Sequence, residues 1–431
     1  MNTSRSAGLT ETDWLCLSFL SGIGPSRLSR LYTYLDNLQT PECEINHQET
    51  ESLKDTDSQN WLSLTPPILD ISRSLFESDS SDILNYNVLK ALKWPDITAR
   101  EAMDYLSNTT LTDEQKIKRD KTLLWLEDAN HHLILRESKL YPKALKEIHV
   151  APAFLYVEGE QKALMLPKIG IVGARKCTHY GRDATFQFAE QLSSRGVCVV
   201  SGGALGVDTA AHQGALHKKT TPTIAVMGTG LQHRYPNQNS RLFEDILEQG
   251  GALISECPLT TSPKPHLFPP RNRIISGLSM GVLVAEASLK SGSLITASYA
   301  VQQNREVFAF PGRLSDLQSE GCHQLLRQGA TLVRNVDEIL EECSAALDAS
   351  KVFSEGTSSE MVKGKSISAL PDTLSNEAKS VAVLLEKEVT PLDFDSLIRH
   401  TEMNAGAMMQ VLMELELSEC VMNREGLYYR S

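Results

Sequence analysis

Seven short, largely apolar runs recur in the middle of the chain and most restrict its fold. They are Ile169–Val172, Val197–Val200, Thr223–Met227, Ala252–Ser255, Gly281–Ala285, Val307–Phe310 and Thr331–Val333. Their apolar residues are consecutive rather than alternating, so both faces of each strand must be covered. Helical patterns separate most of them, at Arg182–Ser194, Val207–His217, Ser240–Gln249 and Leu294–Gln303. Strand, helix, strand in regular succession is an α/β chain: an extended Rossmann-like, doubly wound, mostly parallel sheet. Ligands of such sheets bind outside the carboxyl ends of the strands, so the segments that follow each run are where function is sought.

Four of those segments are rich in glycine. Gly173-Ala174-Arg175 precedes a helix and offers a bidentate phosphate donor in Arg175. Ser201-Gly202-Gly203-Ala204-Leu205-Gly206-Val207-Asp208 frees consecutive amides to form an anion nest, with Asp208 placed to cap the next helix or order the loop. His212 has no acid–base or metal partner at useful spacing, and both it and Asp208 read as structural. Gly228-Thr229-Gly230 leads to Tyr235-Pro236 and Asn239, and Glu286-Ala287 leads to Ser291-Gly292-Ser293, another helix start. No segment matches G-x-G-x-x-G, which disfavours a nicotinamide dehydrogenase. Several phosphate-type loops along one edge exceed what a mononucleotide needs and suit a sugar–phosphate track.

Phe268-Pro269-Pro270-Arg271-Asn272-Arg273, just beyond a proline-rich turn, adds an aromatic ring, two guanidinium groups and an amide within six residues. A ring with flanking arginines is a means of stacking an unpaired base while holding its phosphate. The alternative is a core Phe and two surface Arg in a loop. The whole-chain charge of −12 argues against a nucleic-acid partner, but it is unevenly spread. Leu166–Leu340 carries 17 Lys and Arg against 13 Asp and Glu, leaving the flanks strongly acidic. Binding responds to that local potential. Eight scattered cysteines without a C-x-x-C pair point to a reduced, cytoplasmic protein with no metal site. No run of 18 apolar residues exists to span a membrane.

The flanks complete the organisation. Residues 1–125 read as an N-terminal helical domain. Its first helices, Leu9 to Leu35, surround a Ser21-Gly22-Ile23-Gly24-Pro25 hinge that fits either a plain helical hairpin or a phosphate-touching helix-hairpin-helix turn. Asn37–Asp82 is acidic and patternless, a loop-rich or partly disordered insertion. Helical patches follow at Ile83–Leu92, Ile97–Leu106 and Asp113–Glu127, and strands at His132–Leu135 and Ala153–Val157 lead into the central domain, residues 126–343. Residues 344–373 read as a flexible linker. Residues 374–431 show three short helices, Glu377–Lys387, Phe394–Thr401 and Asn404–Leu417, and a Val421–Arg430 hairpin, the pattern of a winged helix. The last of those helices has no Lys or Arg but carries Glu414 and Glu416, so a protein-contact or scaffold role fits it better than duplex binding.

Taken in order, these motifs resemble the DprA/Smf family of DNA-processing proteins of bacterial natural transformation. The resemblance rests on Gly173-Ala174-Arg175, Ser201 to Asp208 with Ala211-His212, and Phe268 through Ser279. It continues through Ser291 to Leu294, Arg305 to Gly312 and Ser319-Glu320-Gly321-Cys322-His323. It covers about Trp125 to Leu340, and the N-terminal (SAM or helix-hairpin-helix-like) and winged-helix parts resemble the family's accessory domains. It implies a cytoplasmic, non-catalytic protein without cofactor that binds and protects single-stranded DNA and helps load the recombinase RecA as a homodimer. Carried over by position, the DNA-binding residues are Gly173, Arg175, Ser201, Gly202, Gly203, Phe268, Arg271, Asn272 and Arg273. Ala174 stands where the family usually has Ser. Pro265 stands where it often has a basic residue, a role that the preceding Lys264 is placed to take. Leu325, Leu326 and Leu332 fall where the family pairs its subunits, or are simply core.

Two further readings compete. A phosphoribohydrolase-like enzyme of the same superfamily needs an acid in its Gly-Gly-x-Gly-Thr-x-x-Glu run, and alignment on Thr296 places Tyr299 there. A partner-binding scaffold without DNA affinity would fail to shift a labelled oligonucleotide in a gel.

Overall fold

In the computed structural model the described residues are 9–39, 84–344, 375, 377–381, 392–401, 403, 405–418, 421–424 and 427–430. They fall into two compact units, one within Met1–Phe353 and one within Ser354–Ser431. The insertion from residue 40 onward and most of the linker lie outside the described residues; Asn37 to Gln39, read as the start of the insertion, instead end the helix Pro25–Gln39.

The first unit is built on a nine-stranded sheet of order β1-β2-β6-β5-β4-β3-β7-β8-β9. The strands are β1 (His131–Leu135), β2 (Phe154–Gly159), β3 (Lys168–Val172), β4 (Cys198–Ser201), β5 (Thr223–Val226), β6 (Ala252–Ser255), β7 (Gly281–Val284), β8 (Glu306–Ala309) and β9 (Thr331–Leu332). From β6 across to β9 every pairing is parallel. β1 and β2 extend the sheet antiparallel beyond β6. Every residue of β3 to β7 is buried, as consecutive apolar runs require. One core layer gathers Ile134, Leu155, Val200, Ile254, Ile274 and Val284; the opposite layer gathers Ile169, Val199, Leu283, Phe188 and Phe308. Chain direction across the sheet reverses between β3 and β7, which places the topological switch point beside the loop after β3.

The N-terminal helices are α1 (Glu11–Leu17), α2 (Pro25–Gln39), α3 (Tyr86–Ala91), α4 (Asp96–Asn108) and α5 (Asp113–Trp125). Capping boxes at Thr10 and Thr112 start α1 and α5 by satisfying amides that the first turn leaves open. Trp14, Leu31 and Trp94 share one core with Phe154 and Tyr156 of β2 and with Phe243 of the helix Ser240–Glu248. The Ser21–Pro25 hinge is fastened internally: Thr98 Oγ1 donates to Ser21 O, and Ser21 N donates to a Glu101 carboxylate oxygen.

Around the sheet lie α6 (His179–Ser194), α7 (Val207–His217), α8 (Ser240–Glu248), α9 (Phe268–Leu278), α10 (Ser293–Gln302), α11 (Glu320–Arg327) and α12 (Val336–Glu342). One of them corrects the sequence reading. The Phe-Pro-Pro-Arg-Asn-Arg block is not a loop but the opening of α9, with its prolines in the first turn, where no intrahelical amide donor is lost. At 100° per residue, Phe268 and Arg271 come to one face, whereas Arg273 is turned about 200° from Arg271.

In the second unit, β10 (Leu392–Asp393), β11 (Val421–Arg424) and β12 (Leu427–Arg430) form a small antiparallel sheet. It accompanies α13 (Phe394–Thr401) and α14 (Ala405–Leu417). Ala378, Val381, Leu397, Met408, Leu412 and Val421 make its core. This is the winged-helix pattern, with residues 377–381 helical and the remainder of the predicted first helix outside the described residues.

Candidate nucleic-acid interface

The loops after β3, β4 and β5 meet the start of α9 at one edge of the sheet. The half-buried Phe268 ring lies against the end of β5, so close that a Cβ on Gly228 would come within 2.8 Å of it. Two other side chains flank the ring. The exposed Arg175 guanidinium is 5.8 Å from its centroid, and the Tyr235 ring lies at 5.7 Å, tilted by 46°. Tyr235 is itself 40% exposed. A cation and two aromatic rings, each reachable from solvent, form a stacking platform with charge at its border.

Beneath this surface the polar groups serve the scaffold. The amides of Gly202 and Ala204 donate to the Asp208 carboxylate at 3.1 and 3.3 Å. The anion nest read from the sequence is therefore filled by the protein's own carboxylate. Asn239 holds the same loop from outside by donating to Gly203 O and Ala204 O. Gly206 (φ +82°) closes it, with space that a Cβ would take from Ala174 O. Ser201 is wholly buried and donates to Ile171 O at 2.7 Å, a tie between β4 and β3 that offers a ligand no surface.

The two arginines of α9 part company. Arg271 is 8% exposed, donates to Val226 O, and lies so flat on Gly202 that a Cβ there would meet its guanidinium. Its buried Nε has no partner among the described residues. Burial pushes the Arg271 pKa down to about 10, opposed by Asp208 and reinforced by the nearby Arg175 cation. Burial likewise raises the Asp208 carboxyl above its ordinary range, against the pull of Arg271 and the loop amides. Arg273, by contrast, is turned inward. It grips Glu256 through two hydrogen bonds of 2.8 and 2.6 Å and donates to Val150 O and Pro270 O. Burial opposes its charge, but Glu256, Tyr141 and Tyr299 outweigh that and raise its pKa. Asn272 is half-buried and donates to Gly292 O at 3.4 Å.

Sequence-derived candidates are thus brought together in part. Arg175, Phe268 and Arg271 converge, and Gly202 gives Arg271 its close approach, whereas a Cβ on Gly173 would meet Val207 and one on Gly203 would meet Phe243. Lys264 is exposed on the segment leading into α9 and makes no ion pair among the described residues. Arg273 and Ser201 belong to the interior. Tyr235, which the sequence placed only in a loop, joins the platform because that loop folds back over Phe268.

The start of α6 is also occupied from within. Glu286, 3% exposed, accepts hydrogen bonds from Thr178 N at 2.8 Å and Thr178 Oγ1 at 2.5 Å, and Ala174 N donates to its backbone oxygen. A carboxylate therefore sits near the first helix after β3, where dinucleotide folds bind a pyrophosphate. Glu286 was legible only as an acid after a strand, with nothing local to show what it faces.

His212 bears out its structural reading. It is fully buried beside Thr223, its Nδ1 2.8 Å from Thr223 Oγ1. Burial first, and Arg271 second, push its pKa down to about 3. Unfolded chains take up a proton below pH 6.5 that the native state refuses, so stability contributed by neutral His212 is lost as pH falls from 6.5 toward 3. Between pH 7 and pH 5 this amounts to about 2 kcal/mol. Urea titrations of His212→Gln, which cannot protonate, are expected to fall by that much less over the same interval. Equal losses in both proteins would assign the acid sensitivity elsewhere.

Residues 132–344 match the model of the family described as DNA recombination-mediator protein A, and residues 368–426 match that of the DprA winged helix domain. The chain is 38% identical to protein Smf of Escherichia coli over 380 residues, 87% of this chain and 96% of that one. The chain belongs to the DprA/Smf family. The DprA/Smf protein of Streptococcus pneumoniae, a DNA processing protein, is 44% identical over 47% of this chain and 71% of its own. The X-ray structure of DprA from that species superimposes with a TM-score of 0.53, covering 64% of this chain and 90% of that one at 33% identity. The part of this chain that the first DprA/Smf model matches holds β2 to β9 and the loops described above. Among the described residues no group of three or more His, Cys, Asp and Glu is placed to hold a metal ion, and no helix is long and apolar enough to cross a membrane.

Proposed function

We propose that this protein binds single-stranded DNA without altering it, protecting incoming strands in natural transformation and delivering them to RecA. The observation that carries the reading is the Arg175–Phe268–Tyr235 platform: stackable rings bordered by a guanidinium, above a buried Arg271 with an unfilled donor. Arg175 and Lys264 hold phosphates, Phe268 stacks a base, and Arg271 backs the site with its charge. Gly173, Gly202 and Gly203 act by letting Val207, Arg271 and Phe243 pack against the loops that carry the platform. Asn272 and Arg273 act by positioning α9, since their polar groups are committed to the protein.

The enzymatic alternative finds the buried acids beside the platform already engaged among the described residues. Asp208 holds loop amides, Glu286 holds Thr178 and Glu256 holds Arg273. Each of these three is committed to the scaffold, which supports a binding role rather than glycosidic cleavage.

Oligomers of deoxythymidine are expected to bind more tightly than a duplex of equal length, with no free base released from nucleoside monophosphates. With about three phosphates neutralised, log affinity falls with log salt at a slope of about −2. A flat salt response or turnover of a nucleotide would overturn the reading. Delivery to RecA is supported by the family's description as a recombination mediator. It is measured by the rate at which RecA covers a strand with and without the protein. A second copy is proposed to pair at β9, the sheet's last strand, where Leu332 is 44% exposed and Leu325 and Leu326 are half-buried. Sedimentation as a single copy would remove that part.

A further inference from the structure

Arg175 borders two features. Its guanidinium flanks the Phe268 ring, and the residue also lines a cleft of about 410 Å³ between the starts of α6 and α7. Lys176, His179 and Arg182 form one wall of this cleft, and Leu205, Thr209 and Gln213 the other. Lys176 is exposed and has no ion-pair partner among the described residues. Arg182 is exposed too, bonded through its guanidinium to His179 Nδ1 at 2.9 Å and 3.6 Å from Asp183. Asp183 and the buried Glu286 are the acids nearby, against Arg175, Lys176 and Arg182.

The helix start within this wall is not an open anion site, because the Glu286 carboxylate already takes the Thr178 amide and hydroxyl. A compact phosphate group has no cradle of amides there. Long cationic side chains along an open groove instead suit the spaced phosphates of an extended strand. Leu205, 38% exposed, supplies an apolar surface on the opposite wall for a sugar or base.

We infer that this cleft is a second segment of the DNA track: a strand lying on the Phe268 platform crosses Arg175 and places its next phosphates against Lys176 and Arg182. This rests on the single-strand reading and extends it. It enlarges the site beyond the residues that the sequence motifs mark. Lys176 and Arg182 carry no motif of their own; their only signal is cationic residues flanking a helix start directly after Arg175.

The test is fluorescence anisotropy on the full chain with deoxythymidine oligomers of about 4 and about 12 nucleotides, across a salt series. In the double variant Lys176→Ala, Arg182→Ala, binding of the long oligomer is expected to lose about 1.4 from its salt slope, two phosphates' worth. The short oligomer, held on the platform, is expected to keep its wild-type affinity and slope. The charge-preserving pair Lys176→Arg, Arg182→Lys is expected to restore the long oligomer's slope. An unchanged slope with the long oligomer overturns the inference while leaving the platform standing, as does equal weakening of both lengths. Failure of the wild-type protein to bind either oligomer overturns the single-strand reading and this extension with it.

Discussion

Arg273→Ala is expected to destabilise the first unit by about 3–5 kcal/mol, far more than loss of one DNA contact would imply. The substitution leaves Glu256 buried with no cation, its carboxylate having been gripped at both oxygens by a guanidinium only 7% exposed. It also frees the Val150 and Pro270 carbonyls, which Arg273 ties to the start of α9. The measurement is a urea titration followed by far-ultraviolet circular dichroism, at constant m-value. Arg273→Ala combined with Glu256→Gln is expected to recover a large part of the loss, because the penalty lies in the unpaired charge. If Arg273→Ala kept wild-type stability and lost only DNA affinity, the guanidinium would be a phosphate ligand after all.

Arg175→Ala with Phe268→Ala should be the most damaging change to binding. The single change at Phe268 removes a stacking surface of about 1–3 kcal/mol and leaves the salt slope intact. That at Arg175 removes a charge-assisted contact of about 1.5–3 kcal/mol and reduces the slope by about 0.7. Together they amount to on the order of a hundredfold to ten-thousandfold in Kd. The guanidinium lies 5.8 Å from the ring centroid, within cation–π reach, so the double variant is expected to fall short of the sum of the singles. Anisotropy titrations of all four proteins at one salt concentration close the cycle. Strict additivity would show that the ring and the cation act at separate places on the strand, and an intact double variant would remove the platform from the binding site.

How much was legible follows from the kind of signal each element left. Strand Ala252–Ser255 and helix Val207–His217 match their sequence-derived bounds because an apolar run and a 3.6-residue pattern are local properties. The winged-helix hairpin was legible for the same reason. Phe268–Leu278 was not, since paired prolines at its start mask a helix unless that helix is known to begin one residue earlier. Asp208, from its place at a helix start, was legible as a group that caps the helix or orders the loop, and the structure gives it the loop amides of Gly202 and Ala204. Glu286 could not be, because its partner Thr178 is 108 residues away.

The sequence alone was enough to settle the layered sheet and to bring its glycine-bounded strand ends to one edge, since burial on two faces and strand ends are written in consecutive residues. Which charges lie at that edge's surface was decided only in three dimensions. Arg271 and Arg273 stand two positions apart and look equivalent in the chain. Helical rotation sends one beneath the platform, bonded to Val226 at the end of β5, and the other into an ion pair with Glu256 just after β6, partners that neither arginine's own sequence surroundings reveal.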